Sequence, residues 1–362
     1  MADSQPTFWL GTYTADGDGT AAGIVALTRE DAGTLRPSFA HAAQSPSWLT
    51  VHPQHPVVYA SEEFTGRVLA LRPDGATLDA LADTTVDAGV CHLSVAPDGS
   101  ALVAADYGTG AIIWIPLSDD GRFAGRPVVT EPASRDPYGF DVDDDTGLAS
   151  LSTPDAAARE PHAHQSRWLP NGLVVTTDLG FDLVRVWRPT RSGLVHRQDV
   201  SLPRGVGPRH TLWHESGHLH VLTEYSGEVF TLRFDESGAL RVLTAVRASA
   251  DSLENDDTGA EIAIGDRRDR LYVGIRGTNR ISTLEVRGDG TELRAIGDVE
   301  SGGNWPRHHI VDGAVVHVAH QFSGDVATHR LDDRTGIPRT VVGTVETGSA
   351  TCLARASVNI DS

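Results

Sequence analysis

Between Gly207 and Val229 the chain reads GPRHTLWHESGHLHVLTEYSGEV, which places Arg209, His210, His214, Glu215, His218 and Glu224 within one short stretch. Two chemistries compete for these residues. His214-Glu215-Ser216-Gly217-His218 has the HExxH order of a zinc hydrolase. Arg209 and Glu224, near opposite ends of the stretch, are instead the kinds of group that hold an anion and take or orient a proton. A zinc site of the first kind needs a helix, because only a 3.6-residue period puts two histidines four apart on one face. Here Ser216-Gly217 is a turn signal between two alternating runs, so the stretch reads as strand, turn, strand. The histidines then fall on either side of a hairpin turn, and the chemistry moves to the ends of the hairpin, Arg209 and Glu224.

What positions those ends is a repeat. An apolar run opened by Val or Ile recurs at Ile24, Val68, Ile112, Val184, Val229, Ile281 and Val326, with spacings of 44, 44, 72, 45, 52 and 45. A hairpin precedes each anchor from the second onward, with turns such as Pro97-Asp98-Gly99 and Pro170-Asn171-Gly172. Four-stranded units of about 40–50 residues repeated around an axis are the mark of a β-propeller. The expected fold is therefore all-β: a single seven-bladed β-propeller domain over residues 1–362, with four-stranded antiparallel blades and almost no helix. Thr351 to Arg355 resembles the first strand of the other units, so a C-terminal strand should complete the N-terminal blade and close the ring. The insertion at 118–160 should form longer outer strands or loops.

In such a ring the start of each blade's first strand and the end of its second open on one rim. With each anchor as position i, the strand starts at i−20 are Trp48, His92, His164, Arg209 and Glu261, with Arg307 at i−19. The strand ends at i−5 are Glu63, Tyr107, Leu179, Glu224, Arg276 and Gln321, with Asp178 beside Leu179. Charge inside otherwise apolar strands is expensive unless paired or used. One channel mouth should thus collect His162, His164, Arg209, His210, Glu224, Arg276, Arg307 and His308, with Glu63, Tyr107, Asp178 and Gln321 in its wall.

Composition removes several classes. The net charge of -19 disfavours nucleic acid and anionic membrane. All 30 basic residues are arginine, which excludes Schiff-base, pyridoxal-phosphate and P-loop lysines. The only cysteines, Cys91 and Cys352, read as buried free thiols. The N-terminus lacks a basic, long-apolar leader, and no run reaches the ~18 apolar residues of a membrane span, so a cytoplasmic protein is expected. Asp141 to Gly147 is close to a calcium loop, but its Gly falls seventh and Ser152 stands at the twelfth position, so an exposed acidic turn is expected. His162 and His164 share a strand face without an obvious third ligand, and no G-x-S-x-G elbow is present. No cofactor and no metal are expected, and the sequence leaves any protein partner open.

The chain resembles the seven-bladed propeller lactonase family, the group of bacterial 6-phosphogluconolactonases and fungal carboxy-muconate lactonising enzymes. The matching stretches run in order: Gly11-Thr12-Tyr13-Thr14, Pro46-Ser47-Trp48-Leu49, Pro161-His162-Ala163-His164-Gln165, Asp178-Leu179-Gly180, Gly207-Pro208-Arg209-His210, Glu224, Ala260-Glu261-Ile262, Arg276-Gly277, Pro306-Arg307-His308 and Gln321. The resemblance implies a histidine, two arginines and a glutamate at the mouth, falling on His162 or His164, Arg209, Arg276 and Glu224. The chain departs from the family where Asn often precedes the end of the second strand: Glu62, Asp106, Thr223, Ile275 and His320 stand there. The expected activity is metal-independent hydrolysis of a small anionic sugar lactone. Arg209 and Arg276 would hold its phosphate or carboxylate, and His162, His164 or Glu224 would serve as general base. A muconate-type cycloisomerase and a non-catalytic propeller that binds a sugar acid or a protein are the alternatives.

Overall fold

The computed structural model describes residues 5–30, 34–139, 159–251 and 256–356. These residues form seven four-stranded antiparallel sheets. The innermost strand of each sheet touches the innermost strand of the next, in one closed circuit. This is the seven-bladed propeller expected from the repeat. Blade 1 takes Ala350–Arg355 as its inner strand and adds Phe8–Thr12, Gly23–Arg29 and Leu35–Ala42. The inner strands of blades 2 to 7 are Pro46–Val51, Val90–Val95, Ala163–Trp168, Pro208–His214, Thr258–Ile264 and Pro306–Asp312.

Every anchor of the repeat lies at the head of a third strand and is fully or almost fully buried. The reason is the position: the second and third strands are covered on both faces by neighbouring blades, so they read as apolar runs. Outer strands such as Thr77–Thr85 have solvent on one side and alternate instead. The HESGH stretch is a hairpin. His214 pairs with His218 across Ser216-Gly217, and Gly217 takes a φ of 85° that a side chain would resist. No helix underlies the motif, so the expected hairpin stands and a zinc site of the HExxH kind does not.

Closure follows the expected route. Phe8 to Thr12 pairs antiparallel with Ala350 to Arg355, and Phe8, Leu10, Leu27, Ala319, Val326, Ala350 and Leu353 form a core between blades 1 and 7. Asp312 clamps the seam from the polar side, pairing with Arg29 and, at 2.9 Å, with Arg355. The insertion is loop-like as far as residue 139. It contributes an outer strand of only 3 residues, Val128–Thr130, because Pro127, Pro132 and Pro137 interrupt the ladder. The acidic stretch Asp141 to Gly147, with Ser152, lies outside the described residues. Among the described residues no helix is long and apolar enough to cross a membrane.

Two buried histidines make the fold acid-sensitive. His220 and His317 occupy matching places in the second strands of blades 5 and 7. Each has Nδ1 against a third-strand threonine hydroxyl, Thr231 at 3.1 Å and Thr328 at 2.9 Å. Neither Nε2 has a hydrogen-bond partner among the described residues, and Asp312 comes only within 3.9 Å of that of His317. Burial, reinforced by His214 and His218 for one and by Arg29 and Arg355 for the other, lowers their pKa values to about 3 and about 4. Both rings therefore stay neutral when folded, while the unfolded chain protonates them near the ordinary value of about 6.5. The unfolded state binds more protons below that pH, so stability falls as the pH drops from 6.5 toward 4. Urea unfolding at pH 5.5 should show about 2.7 kcal/mol less stability than at pH 7.5 from this pair, at about 1.4 kcal/mol per pH unit and group below the unfolded value. Replacing both with asparagine should remove about that much of the difference, the remainder belonging to the other buried histidines, and unchanged stability at pH 5.5 in the parent would contradict the assignment.

Candidate active site

The mouth is built by a repeated irregularity. Near its start each inner strand slips register by one residue against the second strand, at Ser47, Cys91, His164, Arg209, Ala260-Glu261, Arg307 and Thr351. A bulge re-aims a side chain and ends the strict alternation. Consecutive residues thereby serve two levels of the channel, as Arg209 at the mouth and His210 below it illustrate.

At the upper level, Glu224 Oε2 lies 3.0 Å from Arg209 Nε and 2.9 Å from Arg276 Nη2. Arg209 also donates to Ala260 O, and Arg276 donates to Gly259 O at 3.0 Å. Both arginines are buried, yet the Nε–H of each lacks an aligned acceptor. Burial, then the neighbouring Arg276, lowers the pKa of Arg209 to about 10, while Glu224 works the other way. It remains a cation at neutral pH. A second group adjoins: Arg307 donates to Gln321 Oε1 at 3.1 Å and to the Tyr13 hydroxyl at 2.8 Å, and Tyr13 donates to Glu63 at 2.9 Å. Three guanidinium groups thus face two carboxylates, Glu224 and Glu63, leaving the floor in want of an anion.

Below the floor the channel is plugged. Trp48 packs against His92, His210 and His308 with ring centroids 4.1, 5.5 and 5.4 Å away. Glu261 ties the layer together, 2.6 Å from His210 Nδ1 and 3.3 Å from His308 Nε2. Burial, more than any neighbouring charge, drives His92 and His210 well below the usual histidine pKa and His308 to about 4. A ligand can approach from the mouth only as far as this layer.

The histidines of the fourth blade differ from each other. His162 stacks on Tyr107 at 4.5 Å with a 13° interplanar angle, and its Nδ1 is 2.7 Å from Tyr107 O. A carbonyl only accepts, so Nδ1 carries the hydrogen and Nε2 of the neutral ring is left as a lone-pair base. Asp178 fixes the backbone behind it, accepting from His162 N at 2.9 Å and Phe181 N at 3.0 Å. His164 is buried with an unpartnered Nδ1. Burial, and then Arg209 and His210, hold its pKa well below 6.5. Tyr107 reaches back to the floor, since its hydroxyl is hydrogen-bonded to that of Tyr225, the residue after Glu224.

The residues expected at the mouth are therefore distributed over two levels. His162, His164, Arg209, Glu224, Arg276, Arg307, Gln321, Glu63 and Tyr107 are at or around the floor. His210 and His308 belong to the plug, each with one ring nitrogen on Glu261, and Asp178 acts behind His162 rather than toward a ligand. Tyr13 and Trp305 escape the counting. Tyr13 stands at i−11 from its anchor Ile24 instead of i−5 because blade 1 has a longer turn there, although Gly11-Thr12-Tyr13-Thr14 marks it. Another arrangement has catalytic order without catalytic access. Ser301 Oγ is 3.0 Å from His320 Nε2, whose Nδ1 is 2.7 Å from Asp325, but Ser301 is fully buried and the trio ties a loop to its hairpin. His214 and His218 share the hydroxyl of Ser216 at the far end of blade 5, at 2.7 and 2.8 Å. Among the described residues no cluster of three or more His, Cys, Asp or Glu side chains is placed to hold a metal. Cys91 and Cys352 are buried free thiols.

The family described as "Lactonase, 7-bladed beta-propeller" matches residues 7–355. The chain is 26% identical over 350 residues to a 6-phosphogluconolactonase of Bacillus subtilis (strain 168), covering 92% of this chain and 94% of that protein. Its fold superposes on a periplasmic gluconolactonase of Pseudomonas aeruginosa with a TM-score of 0.83 and 24% identity, covering 97% and 99% of the two chains. A protein from Lactobacillus plantarum matches with the same TM-score, 22% identity, and coverage of 96% and 98%. The chain belongs to the seven-bladed β-propeller lactonase family.

Proposed function

We propose that this member of the family hydrolyses a small anionic sugar lactone at the mouth without a metal ion. One observation carries the reading. Arg209, Arg276 and Arg307 gather on one floor, where Arg209 and Arg276 share a single carboxylate, Glu224. Buried guanidinium groups that outnumber the carboxylates facing them favour a ligand that brings a phosphate or carboxylate. Glu224 spaces the two arginines and holds both in place.

The reaction then needs a base for water and donors for the developing oxyanion. His162 Nε2 takes a proton from water as the water oxygen bonds to the lactone carbonyl carbon. The carbonyl oxygen becomes an oxyanion, stabilised by an N–H of Arg307, the third guanidinium of the floor. Collapse breaks the bond to the ring oxygen, which receives the proton from the His162 imidazolium and leaves as a hydroxyl. The product is the open-chain hydroxy acid. Naming of the Bacillus relative as a 6-phosphogluconolactonase supports the lactone chemistry, and the arginine floor supports the acidic substrate.

A panel of phosphorylated, carboxylated and neutral aldonolactones, followed by proton release, tests this directly. Acidic lactones should turn over fastest, and the rate should be unchanged after incubation with EDTA and gel filtration. Loss of activity in EDTA, restored by a divalent ion, would remove the metal-free mechanism. Binding of sugar acids with no turnover of any lactone would make the chain a binding propeller.

A further inference from the structure

Around the charged floor stands a collar of aromatic rings that the lactone chemistry does not use. Phe64, Tyr225 and Phe322 occupy one repeat position, directly after the mouth residues Glu63, Glu224 and Gln321. They remain 44%, 52% and 59% exposed. The rings form three stations. Phe64 lies against Tyr13 at 5.4 Å. Tyr225 shares a hydrogen bond with Tyr107, which stacks on His162. Phe322 stacks on Trp305 at 4.8 Å and 28°.

The third station is held in place at a conformational cost. Trp305 has a φ of 68°, a left-handed conformation uncommon for a bulky side chain. It is pinned by Trp305 N donating to Asn279 Oδ1 at 2.8 Å and by Gln321 N donating to Trp305 O at 3.0 Å. The result sets the indole ring 5.2 Å from the Arg276 guanidinium carbon. The cation of the floor and the aromatic wall are thus one structure. Gly207 shows the same fit at the second station: at φ 65°, a Cβ there would come within 2.6 Å of the Tyr225 ring.

We propose that the mouth is an anion site with an aromatic subsite, and that its ligand is an acid carrying an aryl group beside the sugar-like ring. The proposal rests on the mouth being the ligand site described above and names the substrate class it takes. Exposed phenylalanines offer a ligand only an apolar face, and an aryl group covers that face more completely than a hydroxyl-studded sugar ring does. A flat apolar group gains from stacking and from leaving water together. Its acid would sit on Arg209 and Arg276 while its aryl face lies against Trp305–Phe322 or Phe64. The acidic surface of the chain, at -19, leaves the arginine floor as the feature that orients such an anion.

Calorimetric titration with phenyl β-D-glucuronide and methyl β-D-glucuronide separates the two parts of the site, because the ligands share a carboxylate and differ in the aryl group. The phenyl ligand should bind at least tenfold more tightly, about 1.4 kcal/mol. Phe322→Ala and Phe64→Ala together should reduce that advantage to under threefold. Equal affinities in the parent protein overturn the aromatic subsite while leaving lactone hydrolysis standing. No binding of either ligand overturns both the subsite and the acid-binding floor. Sedimentation of the same variants covers the remaining occupant: a dimeric parent that becomes monomeric on loss of the two rings would assign the collar to a second copy of the chain and overturn the proposal.

Discussion

Arg209→Ala should lower kcat/KM on an acidic lactone by about 10- to 150-fold, and Arg276→Ala should do the same, from the roughly 1.5–3 kcal/mol that a charge-assisted hydrogen bond contributes. The geometry predicts more than a loss. Glu224 pairs with both arginines, so removing either leaves the carboxylate with its other partner, and the fold should survive. The same substitutions should hardly change the rate on a lactone stripped of its phosphate or carboxylate, because the lost contact belongs to that group. Arg209→Lys should not restore the parent rate. A lysine keeps the charge but has no planar fork to meet Glu224 and Ala260 O together and still face a ligand. Parent rates in both alanine variants would dismiss the arginine floor as the anion site.

The architecture was legible because the repeat is physical. Each anchor heads a strand covered on both faces, so Val or Ile must recur wherever a blade recurs, and a hairpin turn must precede it. The mouth was legible to the extent that charge is too costly to leave in an apolar strand without purpose. A fixed i−20 step found Arg209 and His164 in the bulges of blades 5 and 4. In blades 2 and 3 the same step landed on Trp48 and His92, just past the bulges at Ser47 and Cys91. One residue changes which level of the channel a side chain serves, so residues of the plug were merged with residues of the mouth. His210 and His308 were read into the wrong level for the same reason, and the carboxylate that explains them, Glu261, belongs to the one bulge that leaves two inner-strand residues unpaired. Alternation alone does not reveal a bulge, because a bulge is where alternation stops.

The two candidate sources of anion binding and of proton transfer are also separable. Arg209, Arg276 and Glu224 come from blades 5 and 6, while His162 comes from blade 4 and is joined to them through Tyr107 and Tyr225. That division predicts different kinetic signatures: loss at the arginines should fall on substrates according to their charge, whereas loss at the base should fall on every lactone alike.

His162→Gln should therefore lower kcat by about 10²–10⁴-fold, the usual worth of a general base, on acidic and neutral lactones equally and with KM changed little. His164→Gln should cost less than tenfold. The two histidines are separated by a single residue, yet their environments assign different roles. His162 stands at the rim, its ring fixed by Tyr107 and its hydrogen committed to a carbonyl, so Nε2 is available as a base. His164 is buried beside Arg209, which together with desolvation leaves it neutral but a weak acceptor of protons. The pH profile gives a second readout. A base with the depressed pKa of His164 would place the acid limb of kcat/KM well below 6.5, and a limb found there, with a large loss in His164→Gln, would transfer the role to His164. Small losses in both variants would leave Glu224, the carboxylate that contacts both arginines, to take the proton, and Glu224→Gln would then have to abolish turnover while the two histidine variants kept it.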